Sequence, residues 1–96
     1  MEREEIIMSL KRFKAGKGRE YRIRRIGFFG SAARDQMTRE GDIDVVVELE
    51  KQDLFTLIGI KQDLEEEFRE PVDVVSYRNA MNKFLKSRIE KEAVYV

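Results

Sequence analysis

Residues 42–49 read DIDVVVEL and form the clearest predicted β-strand of this chain. Successive side chains of a strand point to opposite faces, so one face receives Ile43, Val45, Val47 and Leu49. The opposite face receives Asp42, Asp44, Val46 and Glu48. Because residues 45–47 are apolar on both faces, we expect this strand inside a sheet rather than at a solvated edge.

Other predicted elements lie on both sides of this strand. Residues 23–29 and 72–77 are rich in β-branched and aromatic side chains and predict two further strands. Apolar residues at helical spacing, or a capping residue type, predict helices at 2–14, at 31–37 beginning with Ser31, after Asp53, and at 79–92. The expected fold is α/β (α+β), with a small mixed sheet of about three strands flanked by helices.

The composition limits the function classes. The 96 residues fit one small domain, residues 1–96, and 42% hydrophobic with 40% charged residues is typical of a globular protein. The N-terminal residues do not resemble a signal peptide, and we expect a cytoplasmic protein.

The absence of Cys and His excludes thiolate and imidazole chemistry. A net charge of zero argues against direct nucleic-acid binding, whereas the acidic segment 35–73 suggests cations.

Gly30-Ser31 follows a predicted strand and precedes a predicted helix. Glycine lets a phosphate approach the backbone closely, and the N-terminus of a helix presents free amide groups to an anion. The Ser31 hydroxyl would add one donor. By itself this pair is equally typical of an ordinary turn.

The pair Asp42 and Asp44 suggests a cation site. Carboxylates two positions apart on a strand share a face, where each raises the pKa of the other unless a cation lies between them. Oxygen ligands suit Mg²⁺. The alternative is a solvated outer face, against which the adjacent apolar residues 45–47 argue.

Asp73 lies within the β-branched run 72–75 and is a poor core residue unless a charge faces it. If its strand neighbours the strand at 42–49, about 4.8 Å would separate the two. Asp42, Asp44 and Asp73 could then hold two metals roughly 3.5–4 Å apart, as in-line attack on phosphorus requires.

The full pattern is Gly30-Ser31, ten residues, Asp42-x-Asp44, and later Asp73 on a strand. It resembles the DNA polymerase beta-like nucleotidyltransferase superfamily, and most closely its minimal nucleotidyltransferase (MNT) domain proteins. The resemblance implies that Asp42 and Asp44 bind two Mg²⁺ ions. It also implies that Asp73 completes the catalytic metal site and helps to deprotonate the acceptor.

The same resemblance implies a triphosphate site. Gly30 and Ser31 would hold the β- and γ-phosphates of ATP, and Arg34 would contact them as well. The family often reads Gly-Ser-Arg-Ala-Arg-Gly here, whereas this chain has Ala32 and Asp35 in place of one cation and one glycine. That exchange weakens the expected affinity for the triphosphate.

The resemblance also implies a partner, because MNT proteins are often antitoxins of HEPN ribonuclease toxins. The leading hypothesis is transfer of AMP from ATP to a toxin hydroxyl, that of a tyrosine, in a homodimer or a hetero-oligomer with the toxin. An antitoxin that acts by binding alone is the first alternative. A freestanding nucleotidyltransferase of small molecules is the second.

Overall fold

The computed structural model describes residues 2–30, 33 and 43–96. Its elements in chain order are α1 (Arg3–Lys17), β1 (Ile23–Phe29), β2 (Ile43–Leu49), α2 (Leu54–Phe68), β3 (Val72–Ser76), α3 (Lys83–Glu92) and β4 (Val94–Tyr95). Their combination of helices and a mixed sheet confirms the expected fold class. The predicted short helix at 31–37 lies outside the described residues, apart from residue 33.

The sheet has the strand order β3-β2-β1-β4 among the described residues. β1 pairs antiparallel with both β2 and β4, whereas β2 and β3 are parallel. Because β2 is an inner strand, residues 45–47 are fully buried, as their apolar character on both faces predicted. The prediction of about three strands missed β4, which is only two residues long and pairs with Gly27 and Phe28 of β1.

Helices cover both faces of the sheet. Ile6 and Leu10 of α1, together with Ile60 and Leu64 of α2, belong to the core on the face of Val45. Ile89 of α3 packs on the opposite face in a smaller cluster. The other members of this cluster are Phe29, Val46, Val75, Tyr77, Met81, Leu85, Ala93 and Tyr95. The sheet therefore separates a large core beneath α1 and α2 from the smaller one beneath α3.

Three helix boundaries follow from local hydrogen bonds. Asp53 caps α2 as predicted, since its side chain accepts a hydrogen bond from the Phe55 amide. The last helix was predicted to begin at 79 but begins at Lys83, because the Asn82 side chain caps it by accepting from the Leu85 amide. The first helix continues to Lys17 rather than ending at 14, and the Gly18 amide still donates to the Lys14 carbonyl. No helix in the described ranges is both long and apolar enough to cross a membrane.

Candidate functional site

Asp44 and Asp73 lie side by side on adjacent strands. The parallel register of β2 and β3 places Asp44 opposite Asp73, so both side chains project from the same face of the sheet. Neighbouring strands are about 4.8 Å apart, which is close enough for two carboxylates to share one cation. Asp73 is exposed and Asp44 is half-buried, so the pair is accessible to solvent. It lies on the face of the sheet that α3 covers, near the ends of the two strands.

The predicted site has members that the structure does not describe. Ser31, Arg34 and Asp42 fall outside the described ranges, and their predicted roles remain predictions. Within those ranges no three carboxylate or other ligand side chains gather as a metal cluster. The predicted triad would need Asp42 as its third carboxylate.

Gly30 ends β1 in a conformation that favours glycine. Its φ of +75° lies in the left-handed region, which side-chain-bearing residues rarely adopt. A Cβ at this position would collide with the carboxylate of Asp44, whose backbone pairs with the neighbouring Phe29. The backbone conformation therefore favours glycine, and the close approach of the Asp44 carboxylate places Gly30 directly beside the carboxylate pair.

Arg88 of α3 is a residue that the sequence reasoning did not assign to the site. Its Nη2 atom lies 3.6 Å from the position that a Gly30 Cβ would occupy, on the side of Gly30 where the Asp44 carboxylate also lies. Its guanidinium carbon is 5.7 Å from the centroid of the Phe29 ring, and Nη2 is 3.6 Å from a carboxylate oxygen of Glu92. A cation is thus present beside the glycine turn.

A helical-wheel argument could have found Arg88. Leu85 precedes it by three residues, so both share one face of the predicted helix at 79–92, and the apolar Leu85 indicates that this face packs on the sheet. The sequence also lacks one of the cations usual in the family after Gly30-Ser31. Only the packing of α3 on the sheet shows that the two observations concern the same place.

Farther along the same face, the side chain of Arg25 is held in place. It forms an ion pair with Glu48 at 2.7 Å, and its guanidinium carbon lies 4.3 Å from the centroid of the Tyr95 ring. The hydrogen bond to Glu48 raises the pKa of Arg25 above its ordinary value, and burial raises that of the Tyr95 phenol. Arg25 is thus held by Glu48 and Tyr95, whereas Arg88 lies beside Gly30, where the Asp44 carboxylate also lies.

The described residues fit a divalent cation of the hard, oxygen-binding class. Asp44 and Asp73 supply carboxylate oxygens on adjacent strands, and the chain contains no Cys or His that would favour a softer metal. Gly30, at the end of β1 with a positive φ, lies next to the Asp44 carboxylate. This arrangement is compatible with the predicted metal–triphosphate site.

Sequence comparisons relate this chain to nucleotidyltransferases. The sequence model of the nucleotidyltransferase domain family matches residues 10–96. A relative from Methanocaldococcus jannaschii, named "putative protein adenylyltransferase", is 41% identical over 75 residues, which are 77% of this chain and 80% of the relative.

Solved structures share the fold. One described as a minimal nucleotidyltransferase superposes with a TM-score of 0.78 at 24% identity and covers 98% of this chain and 95% of its own. Another, of a tri-AMPylated HEPN toxin with its MNT antitoxin from Shewanella oneidensis, gives a TM-score of 0.63 at 21% identity. It covers 97% of this chain and 66% of the matched one. At these identities the likeness confirms the expected fold.

Proposed function

Since this chain belongs to the nucleotidyltransferase domain family, we propose that it transfers AMP from ATP to a hydroxyl of a partner protein, a HEPN-type toxin, and thereby acts as its antitoxin. The observation that carries the proposal is the register of Asp44 against Asp73 beside Gly30. Together these residues would supply a cation site and a phosphate-binding turn at one end of the strands β1, β2 and β3.

The carboxylates would serve the cation and the acceptor. Asp44 and Asp73, with Asp42, would hold two Mg²⁺ ions, whose charge would stabilise the triphosphate and the leaving pyrophosphate. Asp73 is the more exposed of the two described carboxylates and would accept the proton of the incoming hydroxyl. Asp44, half-buried against Gly30, would orient the nucleotide relative to that hydroxyl.

The turn and Arg88 would bind the triphosphate. The amide groups that follow Gly30, with the Ser31 hydroxyl and Arg34, would donate hydrogen bonds to the β- and γ-phosphates. Arg88 would supply the cation that is missing at Ala32, because α3 places its guanidinium beside Gly30. Guanidinium groups bind phosphate oxygens with two parallel hydrogen bonds, which suits this position.

The choice of a protein acceptor rests on the relatives. The M. jannaschii relative bears the name of a protein adenylyltransferase, and the S. oneidensis structure contains a toxin modified with AMP. A hydroxyl on a separate protein can reach Asp73 because that side chain is exposed. A tyrosine is the acceptor we infer, since its ring reaches farther from a protein surface than a serine or threonine side chain.

The test is to mix the purified protein, a HEPN-type toxin encoded beside it and Mg-ATP, and to weigh the toxin by intact mass spectrometry. We expect additions of whole AMP units, which Asp73→Asn abolishes and the exposed control Glu66→Gln retains. A toxin that stays unmodified but is neutralised would favour the antitoxin that acts by binding alone. A small molecule that gains AMP without a partner would favour the freestanding enzyme.

A further inference from the structure

The outer edge of β3 is held by α2 at the residue that precedes Asp73. In the sheet of the described residues β3 is an edge strand, so one side of its backbone faces away from β2. At Val72, two side chains of α2 occupy that side. The Val72 amide donates to Oε2 of Glu65 at 3.1 Å, and the Val72 carbonyl accepts from Nζ of Lys61 at 2.5 Å. Both outward backbone groups of the first residue of β3 are therefore bound, and we call Lys61 and Glu65 the edge pair.

The edge pair belongs to one face of α2. Lys61 and Glu65 are four residues apart, and their Nζ and Oε2 atoms are 3.3 Å apart. They follow the buried core residues Ile60 and Leu64, so the packing of α2 on the sheet brings the pair to the edge of β3. The hydrogen bond from the Val72 amide lowers the pKa of Glu65, which favours the ionised acceptor. Hydrogen bonds to charged groups of this kind are stronger than those between neutral groups.

The inner side of the same strand end is held by β2. The Ile43 amide donates to the Pro71 carbonyl at 3.2 Å, and Ile43 pairs with Val72 in the parallel register. Proline has no amide hydrogen, so Val72 provides the first backbone donor at this end of β3. The end of an element frays easily when its backbone groups are left to solvent. The edge pair and β2 together hold the backbone from both sides, immediately before Asp73.

The edge pair would act on the candidate site through the backbone of β3. Asp44 and Asp73 project from the face of the sheet that α3 covers, whereas α2 packs on the opposite face. A divalent cation shared by two carboxylates needs oxygen–metal distances of about 2.0–2.6 Å. A displacement of Val72 would move the next residue, Asp73, relative to Asp44. A misplacement of about 1 Å can lower a reaction rate roughly a hundredfold.

We propose that Lys61 and Glu65 are positioning residues, which hold Val72 so that the Asp73 carboxylate stays opposite that of Asp44 for cation binding and catalysis. The proposal rests on the proposed function for the catalytic role of Asp73. A purely structural edge pair would stabilise the fold and leave the cation affinity and the turnover of the folded protein unchanged. The two roles therefore differ in what substitution of the edge pair alters.

The first experiment needs no AMP transfer. Hydrogen exchange of the Val72 amide, followed by NMR, should accelerate about tenfold or more in Glu65→Ala, while that of the inner-strand residue Val46 stays unchanged. Mn²⁺ alone, titrated and followed by the electron paramagnetic resonance of the free ion, should bind about tenfold more weakly in Glu65→Ala and in Lys61→Met. That is the lower end of the range for residues that orient metal ligands.

Two further variants separate positioning from stability. Glu65→Gln keeps an oxygen that accepts from the Val72 amide and should recover most of the Mn²⁺ affinity. Glu67→Ala is the matched control, because Glu67 lies on the same helix but pairs with Arg12 of α1 at 3.0 Å. It should bind Mn²⁺ like the wild type. Should Glu65→Ala fail to fold in a melting scan, Lys61→Met still tests the proposal, because it retains the Glu65 hydrogen bond and an unbranched apolar stem.

The second experiment measures AMP transfer to the toxin. Glu65→Ala and Lys61→Met should lower kcat about ten- to a hundredfold and leave the KM for the toxin unchanged. The Kd for Mg-ATP should change much less than kcat, because Gly30 and Arg88 would also hold the triphosphate. Glu65→Gln should recover most of kcat, and Glu67→Ala should have the kcat of the wild type.

The outcomes distinguish this proposal from the proposed function. Equal effects of Glu65→Ala and Glu67→Ala on Mn²⁺ affinity and on kcat would show a purely structural role and overturn the proposal. If the wild type leaves the toxin unmodified but the Mn²⁺ results hold, the proposed reaction is wrong and the positioning of Asp73 stands. If transfer occurs and kcat is insensitive to both Lys61→Met and Glu65→Ala, the positioning proposal is wrong and the reaction stands.

Discussion

At the level of single residues, Asp44 occupies the most constrained position of the candidate site. It pairs with Phe29 on one side and with Asp73 on the other, and its carboxylate lies against Gly30. A carboxylate is an expensive side chain to place beside another carboxylate. Its presence is therefore more readily explained by binding than by stability.

Replacement of Asp44 by Asn should cost the free protein less than about 2 kcal/mol of stability, because the repulsion with Asp73 is relieved. The measurement is chemical denaturation in the absence of metal. A loss of more than about 2 kcal/mol would contradict the expectation and identify Asp44 as a structural partner of its neighbours.

Replacement of Arg88 by Gln should raise the Kd for Mg-ATP roughly ten- to a hundredfold, the range expected for losing a charged hydrogen-bonding partner of a phosphate. Arg88→Lys should lie between the two, since it keeps the charge and loses the planar fork. Titration calorimetry without an acceptor measures the effect. Lys91→Gln, exposed in the same helix, is the control and should bind like the wild type. An unchanged Kd in Arg88→Gln would remove Arg88 from the triphosphate site.

At the level of elements, the short strand β4 depends on a glycine. Gly27 pairs with Tyr95, and a Cβ at Gly27 would collide with the Val94 carbonyl and lie 2.9 Å from the Tyr95 Cα atom. Both contacts involve backbone, which cannot move as a flexible side chain can. Gly27 therefore allows the C-terminal residues to pair with β1.

Gly27→Ala should destabilise the protein by about 1–3 kcal/mol, as overpacking of a tight interior does. Gly16→Ala is a matched control, because no atom lies within 4 Å of its Cβ position inside α1. That change should stabilise the protein by about 0.5–1 kcal/mol through helix propensity. Urea unfolding of both variants tests the contrast, and similar effects of the same sign would refute it.

A second contact between elements joins the end of α1 to α2. The Tyr21 hydroxyl donates to Asp63 at 2.6 Å, and the Tyr21 ring stacks on Phe13 with centroids 6.1 Å apart. Burial, and next the hydrogen bond to Asp63, raise the pKa of Tyr21 from 10.0 to about 12. The fold thus favours the neutral phenol.

Tyr21→Phe should lower the free energy of unfolding by about 1 kcal/mol at neutral pH. Since the folded-state pKa is the higher one, this contribution is fully present below pH 10 and declines as the pH rises from 10 towards 12. Urea unfolding of both proteins from pH 7 to 11 should therefore show a constant difference that shrinks only above pH 10. A difference that grows with pH would contradict the assignment.

At the level of the whole molecule, a net charge of zero conceals a separation of charge. Basic residues predominate in segments 1–34 and 74–96, and acidic residues in segment 35–73, which holds Asp44 and Asp73. The fold places α3, from the basic C-terminal segment, on the same face as those carboxylates. A complex of a metal cation with a triphosphate carries both signs of charge. Its cation would face Asp44 and Asp73, and its phosphates would face Arg88.

Mg-ATP should therefore stabilise the whole fold by mass action, by about 2.7 kcal/mol at a concentration about 100 times its Kd. For a domain of this size that corresponds to a rise in Tm of roughly 10–20 °C. The comparison is a melting scan of the wild type beside the double variant Asp42→Asn, Asp44→Asn, with Mg²⁺ alone as a further control. Equal shifts in both proteins would rule out the aspartates as the binding site.

Local physics in the sequence was sufficient to predict much of this protein. The apolar run at residues 45–47 predicted an inner strand and Asp53 predicted a helix cap, while the pattern of Gly30-Ser31, Asp42-x-Asp44 and Asp73 resembled that of a known family. Each of these signals depends on neighbouring residues or on a motif whose spacing can be read along the chain. For Ser31, Arg34 and Asp42 the roles remain predictions.

Only the tertiary structure decided which elements meet. The register of Asp44 against Asp73, the pairing of β4 with β1, and the position of Arg88 at Gly30 join residues that are distant in the chain. Two-residue periodicity determines which face of a strand is buried but leaves open which strand is its neighbour and in which direction that neighbour runs. That choice follows from how the helices cover the sheet, because burial of both faces at once is a property of the assembled core and not of any one segment.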